Sequence, residues 1–191
     1  MKHLFAPLLL LALLLTTPVR AEPVRYELDR ARSMAGFVVE TSQQEITGSF
    51  PILEAEVLLD FERNRDSRIR VSVDAARART NLPFASQAIR SRDMLNTERF
   101  PVMTFESRAL RIARTSAVLS GDMKIRGVTH PVNLDAQVFR QRGTDPGDLS
   151  RLAVHVTGTV RRSDFGVTGL PNMVDEEIRL NIIVRLDRDD G

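Results

Sequence analysis

The residues that could take part in acid–base, nucleophilic or metal chemistry are few in this chain. Cysteine is absent, which excludes a thiolate nucleophile, a disulfide framework, a zinc–thiolate site and the acylated cysteine of a bacterial lipoprotein. Apart from His3, the histidines are His130, which precedes a proline in a predicted turn, and His155, which alternates with valines along a predicted strand. Neither belongs to a His-x-x-x-His pair or to a carboxylate cluster, so the spacing predicts no metal site.

Hydrolytic chemistry has equally little support in the sequence. No serine stands in a Gly-x-Ser-x-Gly context, and no glycine-rich loop for phosphate is present. The acidic run 175–177 is expected to solvate the start of a strand. We therefore predict that the protein is not an enzyme and has no cofactor. An enzyme that acts on a lipid-like substrate stays open as an alternative, with Asp93, Asp164 and His155 as the residues to substitute.

The N-terminus has the pattern of a secretory signal. Lys2 and His3 precede an apolar run over 4–15, which is too short to span a bilayer, and Val19 and Ala21 form a small-x-small cleavage signal. We predict a signal peptide over 1–21 and a mature chain, 22–191, with no further membrane segment. The expected location is the periplasm, or the medium if the protein is secreted.

The charge of the mature chain is balanced. The signal peptide removes Lys2 and Arg20, which leaves 25 basic and 25 acidic side chains interspersed along the sequence. A basic patch for nucleic acid is therefore not expected.

Apolar and polar residues alternate over long stretches, which is the period of a strand with one dry face. The pattern holds over 68–75, 119–126, 132–138 and 178–187. Since few amphipathic helices are available to cover such a sheet, we predict an all-β protein, an antiparallel eight-stranded lipocalin-like barrel that forms one domain. Small residues at inward positions, such as Ala75, Gly121, Ala136 and Gly158, suggest that room for a ligand remains inside.

Further strands, one helix and one prominent loop are predicted from the remaining sequence. Strands are expected at 24–29, 33–41, 45–50, 52–61, 100–113, 117–126, 132–140, 149–161 and 177–188. Helical spacing over 82–96 after Pro83 predicts a short helix that covers one barrel end. Residues 142–148 carry the strongest turn signals in the chain.

A long apolar ligand is the guest that such an interior would suit. Burial of about ten methylene groups contributes about 8 kcal/mol, which is the scale of micromolar binding. The residues expected to line the wall are Phe37, Val39, Phe84, Met94, Met103, Phe105, Met123, Ile125 and Phe165. The alternative for each of them is ordinary core packing.

Several motifs in order resemble the YceI-like family, the polyisoprenoid-binding, lipocalin-like periplasmic proteins of bacteria. They are Tyr-Glu-Leu-Asp at 26–29 followed by Ser33 and Phe37, and the segments 46–50, 89–95, 100–107, 121–132 and 162–167. The resemblance implies an extended antiparallel barrel without catalytic apparatus, whose interior takes an isoprenoid quinone, a polyprenyl or another long lipid for transport, storage or stress protection.

The matching positions imply a set of residues near the barrel mouth: Ser91, Arg92, Asp93, Asp164 and Phe165. The alternative is structural, because Asp93 could cap the helix and Arg92 or Arg162 could pair across loops. Arg32 and Glu40 stand where the family commonly has histidine, and Met94-Leu95 where it has aromatic residues, which affects the expected head group more than the fold. A third reading is an interaction module with a filled barrel, and the oligomeric state, monomer or homodimer, is left open.

Overall fold

The computed structural model describes residues 22–140, 145 and 147–189. The predicted signal peptide and most of the predicted loop 142–148 lie outside these residues. The strands are β1 Val24–Leu28, β2 Met34–Thr41, β3 Glu45–Phe50, β4 Ile52–Leu59, β5 Arg68–Asp74, β6 Arg79–Thr80, β7 Val102–Ile112, β8 Ser116–Ile125, β9 Val128–Arg140, β10 Arg151–Arg161 and β11 Val174–Arg188. The helix α1 is Pro83–Arg90, and short 3₁₀ turns lie at 30–32, 64–66, 75–77 and 162–165.

These segments form a closed antiparallel barrel of eight strands, because three of the barrel strands are each broken in two. β1 pairs with β4 while β2 pairs with β3, and β5 pairs with β4 while β6 pairs with β3. β1/β2, β3/β4 and β5/β6 therefore each run as one barrel strand, followed by β7 to β11 in chain order. The ring closes where β11 pairs with β10 along one edge and with β1 and β2 along the other. The predicted fold class is confirmed.

Two of the breaks have the same local cause. Asp29 and Asp74 each stand before a 3₁₀ turn and accept a hydrogen bond from the backbone N–H three residues later, at Arg32 and Arg77. Each aspartate also pairs with the side chain of that arginine. The Arg32 guanidinium holds the pKa of Asp29 below its usual range. Capping turns the backbone out of extended geometry for one turn, and the strand then resumes. The third break is at Pro51, which has no N–H to give to a ladder.

The strand boundaries differ from the prediction where tertiary context overrides local signals. Residues 128–131 were expected to form a tight connection, yet β9 begins at Val128 and includes Pro131. The proline is tolerated because β10 pairs with β9 only from Asp135 onward, which leaves that stretch of β9 with a free edge. The predicted helix 82–96 ends at Arg90, and turns occupy most of the segment beyond it.

The apolar side chains that the alternation places inward form one core. Its most deeply buried large side chains are Tyr26 and Phe165. The hydroxyl of Tyr26 donates to the carbonyl of Leu149 at 2.9 Å, which ties the loop before β10 to the first strand. Burial raises the pKa of Tyr26, so this phenol stays neutral and keeps its hydrogen bond.

Candidate ligand cavity

The barrel encloses an apolar cavity of about 640 Å³. Every barrel strand contributes to its wall, and the wall runs from the loops at one end of the barrel to the helix at the other. Among the described residues, the wall includes only three with polar side chains, Thr104, Arg114 and Arg162. No carboxylate of the described residues faces this cavity, so its chemistry is that of a site for an apolar chain.

The inward row of β11 shows that the barrel is not packed solid. Ile178, Leu180, Ile182 and Val184 line the cavity, and each is only partly buried although it points into the barrel. In a filled core these positions would be fully buried. Their side chains therefore border open space inside the barrel.

Of the small inward residues that suggested the space, Ala136 lines the cavity, but the two glycines do not open it. A Cβ on Gly121 would lie 2.7 Å from Cζ of Phe105, and one on Gly158 would lie 2.6 Å from Cδ2 of Leu134. Neighbouring large side chains thus occupy the room that these glycines leave. The cavity comes from the circumference and length of the barrel, which its own side chains do not fill.

The two ends of the barrel differ. At the end that carries α1, called here the helix end, the lining residues Met94, Leu95, Phe165 and Val167 are all buried or half-buried. At the opposite end, the loop end, the lining residues Phe61, Ala113 and Arg114 are exposed. Among the described residues the cavity therefore reaches solvent at the loop end.

The structure places eight of the nine predicted apolar site residues on the cavity wall. They are Phe37, Val39, Met94, Met103, Phe105, Met123, Ile125 and Phe165. The ninth, Phe84, is 68% exposed and does not line the cavity. It lies one residue out of phase, because Ala85 and Ile89 occupy the inner face of α1. Whether the eight bind a ligand stays a prediction.

The predicted polar site residues lie around the helix end, outside the cavity. Ser91, Arg92 and Asp93 are exposed in the turn after α1, and Asp164 is half-buried in the turn after β10. The backbone carbonyl of Asp93 accepts from the N–H of Gly169 at 3.1 Å.

Arg126 joins the turn after α1 to the turn after β10. Its guanidinium donates to the carbonyl of Gly166 at 2.8 Å and to that of Arg92 at 3.1 Å. Asp164 lies 4.0 Å from Nδ1 of His130, whose ring meets Phe165 edge to face. These contacts hold the turn after α1 and the turn after β10 in place over the helix end.

Arg162 is a buried, charged wall residue that the prediction of the site did not include. It is 6% exposed, and its Nη1 donates to the carbonyls of Val167 at 3.1 Å and Gly169 at 2.6 Å. Its Nε is buried, has no hydrogen-bond partner and lies 3.8 Å from Oε2 of Glu176. An arginine directly after a predicted strand gives no signal of burial, since arginine is mostly exposed.

A second, smaller pocket of about 290 Å³ lies beside the cavity at the helix end. Arg162 and Val174 line both spaces. The other residues around the second pocket are Thr41, Ser42, Pro171, Asn172, Met173, Asp175 and Glu176. A polar group could therefore lie at Arg162 while an apolar chain fills the barrel.

His155 lies in strand β10, as predicted, whereas His130, which was predicted in a turn, lies in strand β9. Nε2 of His155 lies 2.7 Å from Oδ1 of Asn181 on the neighbouring strand. Within the described ranges, no group of three or more His, Asp or Glu side chains is arranged to hold a metal ion.

Glu176 gives this region a pH-dependent element. Ser163 donates to Oε1 of Glu176 through its side chain and through its backbone N–H, and these bonds hold the pKa of Glu176 below its usual range. Ionised Glu176 therefore stabilises the folded state at pH values above its pKa in the unfolded chain, about 4.3. This stabilisation is lost as the pH falls through the lower pKa that Glu176 has in the folded protein.

The corresponding prediction concerns Glu176→Gln. The wild type should exceed this variant in free energy of unfolding near neutral pH by less than about 1 kcal/mol, since the carboxylate is partly exposed. The difference should shrink as the pH falls below about 4.3. Urea denaturation over a pH series measures it, and a difference that stays constant down to pH 3 would contradict the role of the ionised carboxylate.

Comparison with known sequences places this arrangement in a family. The model of the YceI-like domain matches residues 26–186. Protein YceI of Salmonella newport is 26% identical over 177 residues, covering 91% of this chain and 92% of that protein. Protein YceI of Salmonella arizonae is 25% identical over the same shares of the two chains.

Solved structures agree in fold. BcnA of Burkholderia cenocepacia superposes with a TM-score of 0.73 at 18% identity, covering 83% of this chain and 99% of that one. A YceI protein of Campylobacter jejuni gives a TM-score of 0.58 at 21% identity, covering 75% and 85%.

Proposed function

The chain belongs to the YceI-like domain family, and from that premise we propose that it is an exported lipid-binding protein that holds an isoprenoid quinone, a polyprenyl or a similar long-chain lipid inside its barrel. The observation that carries the proposal is the apolar cavity of about 640 Å³, which runs along the barrel and, among the described residues, reaches solvent at the loop end. Transport, storage or stress protection in the periplasm is the role that such binding would serve.

The shape of the cavity supports a linear ligand. β11 has 15 residues, which at about 3.3 Å per residue and a tilt of 35–45° span roughly 35–40 Å along the barrel axis. A long, narrow space of this kind buries an extended chain along its whole length. At about 0.8 kcal/mol per buried methylene group, roughly ten groups contribute about 8 kcal/mol without any polar contact.

The composition of the wall supports binding rather than catalysis. Of the described polar side chains on it, Thr104 and Arg114 are exposed and Arg162 is held by two backbone carbonyls. A general acid–base pair would need two titratable groups near one substrate atom. The open interior is also at odds with an interaction module whose barrel is filled.

No helix in the described part of the chain is long and apolar enough to cross a bilayer. We propose that the lipid is exchanged with a membrane through the loop end of the barrel. We leave the oligomeric state, monomer or homodimer, as part of the proposal to be measured.

The test is to identify what the protein carries. After expression with its signal peptide, the purified protein should show, by native mass spectrometry, an added mass that organic extraction releases as a lipid with a chain of about ten or more carbons. Delipidated protein should take up the same lipid with a dissociation constant in the micromolar range or below. Protein that carries no lipid and takes up none after delipidation would overturn the proposal.

A further inference from the structure

Among the described residues, Arg162 is the one buried charged side chain on the apolar wall. A guanidinium carries five N–H donors, and the two bonds to the carbonyls of Val167 and Gly169 both come from Nη1. The Nε donor is buried without a hydrogen-bond partner. A buried donor that is left unpaired is costly, so it marks a place where an acceptor would be bound favourably.

The charged groups around Arg162 determine which kind of hydrogen-bond acceptor on a ligand can bind there. Oε2 of Glu176 lies 3.8 Å from its Nε, and Oε1 lies 3.8 Å from Nε of Arg161 on the outer side. Asp175 lines the second pocket as well. These carboxylates would strongly repel a phosphate, whereas they repel the partial charge of an uncharged carbonyl oxygen much less.

The two ends of the cavity also differ in what they can offer a head group. Arg114 at the loop end is exposed, so water competes for its hydrogen bonds. Arg162 at the helix end is 6% exposed, and a hydrogen bond is stronger where water is excluded. The helix end is therefore the better site for a polar group that the lipid must bury.

We propose, building on the proposed lipid-binding function, that Arg162 donates a hydrogen bond to an uncharged carbonyl oxygen, such as that of a quinone, at the polar end of the lipid. The polar end then lies at the helix end beside the second pocket, and the chain extends toward the loop end. The small movement of the guanidinium that this requires would satisfy a donor that is now unpaired.

The experiment compares a benzoquinone that carries an isoprenoid tail with the isoprenoid hydrocarbon of the same tail length. Both are titrated into delipidated protein in competition with a fluorescent fatty-acid analogue. Because a hydrogen bond to a charged donor is involved, the wild type should bind the quinone about 10- to 100-fold more tightly than the hydrocarbon. Arg162→Met should lose this preference while its affinity for the hydrocarbon stays the same.

Arg161→Met is the matched control. Arg161 is the neighbouring arginine, it faces Glu176 from the exposed side, and it does not line the cavity. Its loss should leave the preference for the quinone unchanged. A long-chain fatty amide is titrated in the same way, to compare the carbonyl of a quinone ring with that of another lipid. Tighter binding of either compound than of the hydrocarbon supports the proposal.

A measurement on the wild type covers the case in which Arg162→Met does not fold. Infrared difference spectra with ¹³C-labelled quinone should show a carbonyl stretch shifted to lower wavenumber on binding, because the oxygen accepts a hydrogen bond. Equal affinity for quinone and hydrocarbon in the wild type, or loss of the preference in Arg114→Met instead, would overturn the role of Arg162 and leave lipid binding intact. If neither probe binds, the proposed function itself fails.

Discussion

Replacement of Ala55 by tryptophan is expected to weaken lipid binding about 1000-fold while the barrel stays folded. Ala55 lies in β4, lines the cavity and is only partly buried, so a larger side chain at this position extends into open space. The indole would block the channel, so that the ligand could occupy only about half of the channel's length. Loss of about five of ten buried methylene groups removes about 4 kcal/mol, which corresponds to roughly three powers of ten in affinity.

Ala109→Trp provides the matched control for this substitution. Ala109 is an exposed alanine on β7 that does not line the cavity. The same chemical change there should leave the dissociation constant within about threefold of the wild type, since surface substitutions usually alter energies by less than about 0.5 kcal/mol. Calorimetric or displacement titration with one long-chain lipid measures all three proteins, and circular dichroism checks their folds. Equal affinities of the two tryptophan variants would show that the cavity is not where the lipid lies.

The closed barrel could be predicted from the sequence because its cause is repeated along the whole chain. Each stretch with a period of two places one row of side chains inside, and a sheet with one dry face and few helices can hide that face only by closing. The row Ile178, Leu180, Ile182 and Val184 was identified in this way and does line the cavity. Errors at single strand ends do not change this result, since they leave the phase of the alternation intact.

β1, β2, β3 and β4 were predicted as four separate strands and β6 was not predicted, so the continuity of the three broken barrel strands was missed. The turns at Asp29 and Asp74 look like ordinary loop signals, because an aspartate followed by an arginine three residues later caps any short turn. What makes β1 and β2 one barrel strand is that both pair along the same edge of β11. Pairing between segments more than 130 residues apart leaves no mark on local periodicity.

Polar residues of the site were harder to place than apolar ones. Motif positions led to Ser91, Arg92 and Asp93, which lie at the helix end but outside the cavity. Arg162, two residues before the predicted site residue Asp164, was considered only for pairing across loops. Its burial depends on the carbonyls of Val167 and Gly169, and so on the path of the following loop, which no pattern in the sequence specifies.

Phe165→Ala is expected to destabilise the protein by about 3–5 kcal/mol, as is usual when a large core side chain is truncated. Phe165 is 1% exposed, contacts the edge of the His130 ring with centroids 5.9 Å apart, and lines the helix end of the cavity. Its removal would leave a void beneath the turn that Arg126 ties to the turn after α1. Denaturation by guanidinium chloride, followed by far-ultraviolet circular dichroism, measures the loss.

The same truncation at Phe84 tests whether burial, and not the residue type alone, determines the loss of stability. The sequence predicted both phenylalanines as wall residues. Phe84 is 68% exposed on α1, so Phe84→Ala should change the free energy of unfolding by no more than about 0.5 kcal/mol. In a helix of eight residues, a shift of one position turns a side chain by about 100°, which is enough to move it from the wall to solvent. Equal destabilisation by the two variants would mean that α1 covers the barrel through its other face, with Phe84 packed against the helix end.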